Sequence, residues 1–190
     1  MVGVEMPDLA GEKIASYGFT GPIDPNGATR IAAAMNHAAN NQFDEVHFAV
    51  SSNGGYVADG IFLYNLIRAL PIKVRVHNIG SCSSIAVVVF LAAEHRYCSA
   101  HSMFMIHPTS LFPSQEGMSA ERLQSSLNAA LADDGRTENI LRERTNLPDN
   151  VLQARRFKDV FITPQEAVQV GLAHGIAEFA VPHGRQIIQI

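Results

Sequence analysis

The sequence predicts an α/β fold: a mainly parallel sheet whose strands are joined by helices, with a helical projection late in the chain. Segments that alternate apolar and polar residues, at 44–52, 72–80 and 102–108, are separated by segments of helical periodicity. Strand, helix, strand, helix, strand at this spacing makes βαβ units, whose strands lie parallel. The stretch from about 112 to 155 is mostly helical in pattern. With 190 residues, 47% of them apolar and 17% charged, the chain carries enough core for one domain spanning 1–190, since domains commonly hold about 100–200 residues.

The elements follow in order. In "DPNGATRIAAAMNHAANN", Asp24 stands at the N-cap and Pro25 at the first helical turn, and Ile31, Met35 and Ala38/Ala39 form an apolar stripe. "DEVHFAVSS" alternates Val46, Phe48 and Val50 as a strand. After "SSNGG", a helix with Val57, Ile61, Tyr64 and Ile67 on its buried face runs until Pro71 stops it. "IKVRVHNIG" is the second strand, and the small residues "SCSS" then turn into an apolar helix from Ile85 to Ala93. "SMFMIHP" is the third strand, ended by Pro108. A long amphipathic helix follows over 119–148, relaxed around Asp134-Gly135, with "SLFP" at its base. Last, Thr163, Pro164 and Glu166 make a capping box with proline at the first position.

Composition excludes several functions. A net charge of -4 without a Lys/Arg run gives no basic patch for nucleic acid. The run Ile85–Ala93 falls short of the roughly 20 residues that span a membrane. The first residues lack a basic region followed by an apolar one, so no signal peptide and a cytoplasmic address are expected. Cys82 and Cys98 are too few for a disulfide framework and lack metal-ligand spacing, so both are expected reduced and buried. No histidine pair has metal spacing either, and no cofactor is implied.

Two strand ends lead through small residues into helices, "SSNGGY" and "IGSCSSI". In a parallel sheet both lie on the edge where ligands bind. Gly54 and Gly55 let backbone N–H groups approach a substrate carbonyl, and the helix after the second turn adds further donors. Together they suit an oxyanion hole beside an attacking serine, which can be Ser81, Ser83 or Ser84. Of eight histidines, His107 is distinctive because it ends the third strand; His37, His47, His77, His95, His101, His174 and His183 read as surface or boundary residues. The carboxylate that would orient an imidazole is not selected by chain order.

These blocks resemble the ClpP family of serine peptidases, within the wider ClpP/crotonase fold of repeated β-β-α and βαβ units wound into a superhelix with a helical handle. The family's "SPGG" turn matches "SSNGG" at 51–55, its nucleophile turn matches "GSCSSI" at 80–85, its "MIH" matches 105–107, and its "R-D-x-F" block matches "KDVFITPQEAVQVGL". The similarity covers about residues 18 to 178. It implies Ser84 as nucleophile, His107 as general base and Asp159 as the orienting carboxylate, with Asp149 and Glu166 the other acids to weigh. It also implies that the N–H groups of Gly55 and Ile85 hold the oxyanion, that Gly54 contacts substrate, and that 112–155 is the handle.

The implied activity is endopeptidase hydrolysis of peptides or unfolded proteins through an acyl-enzyme, by a cyclic homo-oligomer of six or seven subunits per ring, single or stacked. Departures are present. Asn53 replaces the proline of the glycine turn, Ala86-Val87 replaces the usual Gly-Ala, Pro108 stands where glutamine is common, and the glycine-rich run before the handle is missing. His47 and Ala49 occupy positions where the family often carries the aromatic residues of its ATPase-docking cleft. The resemblance implies an ATP-dependent unfoldase as partner, and these departures weigh against it. The competing functions are a crotonase-type acyl-CoA enzyme and a catalytically idle assembly subunit.

Overall fold

The structure, a computed structural model, describes residues 13–111, 117–181 and 185–190. The first twelve residues, in which no signal peptide is expected, lie outside this range, as do 112–116 at the base of the expected handle and His183.

Strands β1 (Ile14–Thr20), β2 (Glu45–Ser52), β3 (Lys73–Ser83), β4 (His95–Cys98), β5 (Met103–Ile106), β6 (Val160–Ile162), β7 (Gly175–Ile176) and β8 (Ile187–Gln189) form one sheet. Its path is β6-β5-β3-β2-β1-β8, with β4 also on β3 and β7 on β4. Every pairing is parallel except β5 with β6. The helices are α1 (Pro25–Asn40), α2 (Val57–Ala69), α3 (Ile85–Leu91), α4 (Ala120–Arg144), α5 (Asp149–Ala154) and α6 (Pro164–Gln169). The mixed α/β architecture predicted from the periodicity is therefore present.

Local signals are realised where they concern neighbours in sequence. Asp24 accepts from Gly27 N at 2.7 Å, and Pro25 occupies the first turn of α1. Thr163 and Glu166 close both halves of the capping box of α6. The even residues of β2 and β3, Val46, Phe48, Val50, Val74 and Val76, are buried in the core as the alternation predicts. The buried face of α2 is Gly60, Leu63, Tyr64 and Ile67, so Val57 and Ile61 are not at its centre. The reason is Gly60: a Cβ there would stand 2.1 Å from Ile85 Cγ1, and its absence lets α3 press onto α2.

The odd face of the sheet differs from expectation. His47 and His77, read as boundary residues, are both 4% exposed. Arg75 Nε donates to Glu45 Oε1 at 2.8 Å, and His47 Nε2 lies 3.5 Å from the same oxygen. Burial alone would raise the Glu45 pKa, but the hydrogen bonds and charges of His47 and Arg75 bring it down to about 2. His77 packs against Tyr97 and edge-on to Phe179, with Ser99 Oγ at 3.3 Å.

Strand β3 runs three residues further than its alternation suggests, through a bulge. Val50 pairs with Asn78, but Ser52 pairs with Cys82. Residues 79–81 thus stand against the single Ser51 of β2, held by Asn78 Oδ1 accepting from Gly80 N and Ser51 Oγ accepting from Ser81 N. The bulge lets β3 pair with β4 before it and β5 after it.

Helix α4 is continuous through Asp134-Gly135, so the expected relaxation there is absent, and the helix stops at Arg144 instead of continuing to 148. At 25 residues it is roughly 37 Å long. Of its buried residues, Thr137, Glu138, Ile140 and Leu141 lie in the second half, and Ala130 is just before the midpoint. The first half exposes Leu123, Leu127 and Leu131 at 56%, 45% and 59%. The helix does not fold back along its full length.

Candidate active site

Ser84 sits between the last residue of β3 and the first of α3, at φ 58° and ψ −132°. A non-glycine residue there stores of the order of 1–3 kcal/mol of strain. Surrounding bonds hold it: Ser84 N donates to Met105 O at 2.7 Å, and Val87 N donates to Ser84 O at 3.1 Å. Because Ser83 pairs with Met105 across β3 and β5, the residues just beyond, Ser84 and His107, meet. Ser84 Oγ lies 2.7 Å from His107 Nε2. With the ring proton on Nδ1, the hydroxyl donates to Nε2. Ser83, by contrast, is buried within the strand and Ser81 lies in the bulge, so of the three candidate serines the geometry brings Ser84 to His107.

The glycine turn is built around this serine. Gly54 has φ +92°, and a Cβ on it would stand 2.6 Å from Ser84 Cβ and 2.8 Å from Ser83 O. Gly55 bridges to Ile23, whose carbonyl oxygen would lie 2.1 Å from a Gly55 Cβ. Tyr56 N donates to that carbonyl, and Ile23 N to Gly54 O. The Gly55 N–H donates in no turn, loop or cap among the described residues. Ile85 is the first residue of α3, so its N–H has no intrahelical acceptor.

His107 follows the pair Ile106–Val160 in the antiparallel β5–β6 ladder. Continuing that register sets Asp159 opposite His107, and both lie on the ladder face of Met105 and Phe161. Asp159 is exposed. Among the described residues His107 has no carboxylate within ion-pair or hydrogen-bond distance, Asp159 included. The other acids are engaged elsewhere: Glu166 in its capping box and Asp149 with Arg142 Nη1 at 2.6 Å.

An open cleft of about 420 Å³ runs beside the serine. Val57, Val87, Val88, Ile106 and Leu141 give it apolar walls, and Asp133, Thr137 and Arg155 line it as polar groups. Sequence reasoning missed Arg155, Asn78, Ser51 and Gly60. Asn78-Ile79-Gly80 inside an alternating strand was a bulge signal, and Gly60 inside a helix pattern marked a close approach. Arg155 carried no such signal. Among the described residues no group of acidic, histidine or cysteine side chains could hold a metal, and no helix is long and apolar enough to cross a membrane. Cys82 and Cys98 are free and buried; burial pushes both thiols up, that of Cys98 to about 11.

A parallel sheet with a serine at a strained strand-to-helix turn, facing a strand-end histidine, defines a class of hydrolase-like sites. The family model for Clp protease matches residues 12–179, and the chain belongs to the Clp protease family. It is 27% identical over 154 residues to an ATP-dependent Clp protease proteolytic subunit of Paracoccus denitrificans, covering 80% of this chain and 76% of the relative. It is 26% identical over 177 residues to an ATP-dependent Clp protease proteolytic subunit 2 of Pseudomonas aeruginosa, covering 92% and 86%. A solved structure of a ClpP1 mutant from Listeria monocytogenes has the same fold, with a TM-score of 0.76 at 19% identity over 86% of this chain and 91% of that one.

Proposed function

We propose that this chain is a serine endopeptidase acting on peptides and unfolded proteins without a cofactor. The observation that carries the reading is the 2.7 Å approach of Ser84 Oγ to His107 Nε2. Ser84 attacks the scissile carbonyl while His107 takes its proton, and His107 returns that proton to the leaving amine. The N–H groups of Gly55 and Ile85 receive the oxyanion, and Gly54 lies against the bound strand. Water then cleaves the acyl-enzyme. The apolar walls of the cleft suit an apolar side chain next to the scissile bond.

Asp159 is the orienting carboxylate in this reading. Extension of the β5–β6 ladder by one pair, to His107–Asp159, would bring their Cβ atoms to about 4.5–5.5 Å, from which a side-chain rotation carries the carboxylate to His107 Nδ1. Assembly is the expected trigger. The leucine row of α4 is an exposed apolar stripe of the kind that marks an interface, and Phe157 and Phe161 are 87% and 63% exposed. The stripe suits a cyclic homo-oligomer of six or seven subunits joined through handles. An ATP-dependent unfoldase is not part of this reading, because His47 and Ala49, where the family often carries docking aromatics, are both buried.

A short fluorogenic peptide tests the reading: the wild-type protein turns it over and Ser84→Ala does not. Equal turnover by both removes the serine mechanism. The missing Asp159–His107 bond favours one second reading, an idle subunit that completes an active paralogue's ring. That reading predicts no turnover by the isolated protein in any assembled state.

A further inference from the structure

We propose that Arg155 is a positioning residue for the catalytic base, holding His107 through its main-chain carbonyl; this rests on the serine peptidase reading. Arg155 follows α5, and its side chain is 4% exposed. Its Nη2 donates to Thr137 Oγ1 at 3.0 Å and to His107 O at 3.4 Å. It lies 3.6 Å from Asp134 Oδ1 and 3.7 Å from Glu138 Oε2, too far for hydrogen bonds, and its Nε and Nη1 are buried without acceptors. Burying a guanidinium on such terms is expensive, and burial lowers its pKa despite Asp134 and Glu138.

What Arg155 supplies is visible from what its loss would leave behind. Glu138 keeps Arg156, whose Nη2 donates at 2.8 Å, and Arg142 at 3.1 Å. Asp134 keeps Thr109, which donates from N at 2.7 Å and from Oγ1 at 2.9 Å. Thr137 still donates to Asp134 O. No carboxylate is orphaned. The group that loses its described donor is the carbonyl of His107. Pro108 follows it and has no N–H, and the β5–β6 pairing ends at Ile106, so the ladder does not hold this residue. Asp134 on Thr109 and Arg155 on His107 thus fix the segment carrying the base against α4. Catalytic groups need a supporting shell to stay within about 0.5 Å of working geometry.

Arg155→Met and Arg155→Lys test this, with three readouts on the full chain: the rate of fluorophosphonate labelling of Ser84 against pH, the His107 imidazole titration by NMR, and thermal unfolding. A displacement near 1 Å costs about 10²-fold. Arg155→Met is therefore expected to label about 10- to 100-fold more slowly, with a shifted His107 midpoint and a cooperative melt. Arg155→Lys, which keeps the charge and one reach, recovers part of the rate. Should Arg155→Met not fold, Arg155→Lys against wild type decides: slower labelling and a shifted midpoint support the role, and wild-type values overturn it. Unchanged rate and midpoint in folded Arg155→Met overturn it. So does a loss that follows the melting temperature with no recovery in the lysine variant. If wild-type Ser84 does not label at all, the peptidase reading has failed, and the NMR midpoint alone decides the positioning role.

Discussion

Replacing Gly54 by alanine is the sharpest local perturbation of the site. At φ +92° an L-residue stores about 1–3 kcal/mol of backbone strain. The added methyl would also meet Ser84 Cβ at 2.6 Å and Ser83 O at 2.8 Å, against about 3.5–4.0 Å for ordinary carbon contact. Neither neighbour is the far end of a flexible chain, so turn or serine must shift by about 1 Å, which costs about 10²-fold in rate. At about 2–4 °C per kcal/mol for a domain of this size, strain alone lowers Tm by about 2–12 °C. The assay pairs a calorimetric melt with the fluorophosphonate labelling rate of Ser84. Gly135→Ala is the control: Gly135 lies in α4 with nothing within 4 Å of its Cβ position, and alanine there should stabilise by about 0.5–1 kcal/mol. Wild-type stability and labelling in Gly54→Ala would refute the packing argument.

Other consequences are equally specific. Arg96 is buried and donates to Leu172 O, Gly171 O and Ala93 O at 2.9, 3.0 and 3.1 Å, tying β4 to the ends of α3 and α6; its burial and the nearby Arg144 lower its pKa to about 10. Arg96→Met should cost about 4.5–9 kcal/mol, three charged hydrogen bonds at about 1.5–3 kcal/mol each, read from urea unfolding. Burial lowers the pKa of His77, helped by His47 and opposed by the Ala177 carbonyl and Glu178; the unfolded chain therefore binds the extra proton first. Stability should fall as pH drops below about 6.5, by at most about 1.4 kcal/mol per pH unit from this group, and His77→Phe should flatten that slope. Glu45, depressed from 4.5 to about 2, loses its contribution only as pH falls from about 4.5 towards 2. His107→Ala and Asp159→Ala should each abolish most peptide turnover, and the double variant little more, because triad members act as a unit. Near-normal turnover in folded Asp159→Ala would remove that residue from the mechanism.

Legibility followed sequence distance. The caps at Asp24 and Thr163 were readable because donor and acceptor stand three residues apart. Strand β1 was not recognised because six of its seven residues are buried, which erases the alternation that marks a half-exposed strand. Strands β4, β6, β7 and β8 are four residues or fewer and lack the apolar run ended by proline that marked the equally short β5. His47 and His77 were misjudged because the polar face of β2 and β3 is itself covered. The meeting of Ser84 with His107 depends on the Ser83–Met105 register, which no local pattern encodes; only the resemblance selected that pair. Arg155 escaped because its partners come from α4 and from a carbonyl at residue 107, and an arginine next to a second one, Arg156, reads as surface.

The central claim is that Ser84 is the nucleophile. Intact-mass analysis after fluorophosphonate treatment, followed by peptide mapping, tests it most directly. A single adduct on Ser84 is expected, absent from Ser84→Ala and slowed in His107→Ala. An adduct on Ser81 or Ser83, with Ser84→Ala still labelled at the wild-type rate, would contradict it.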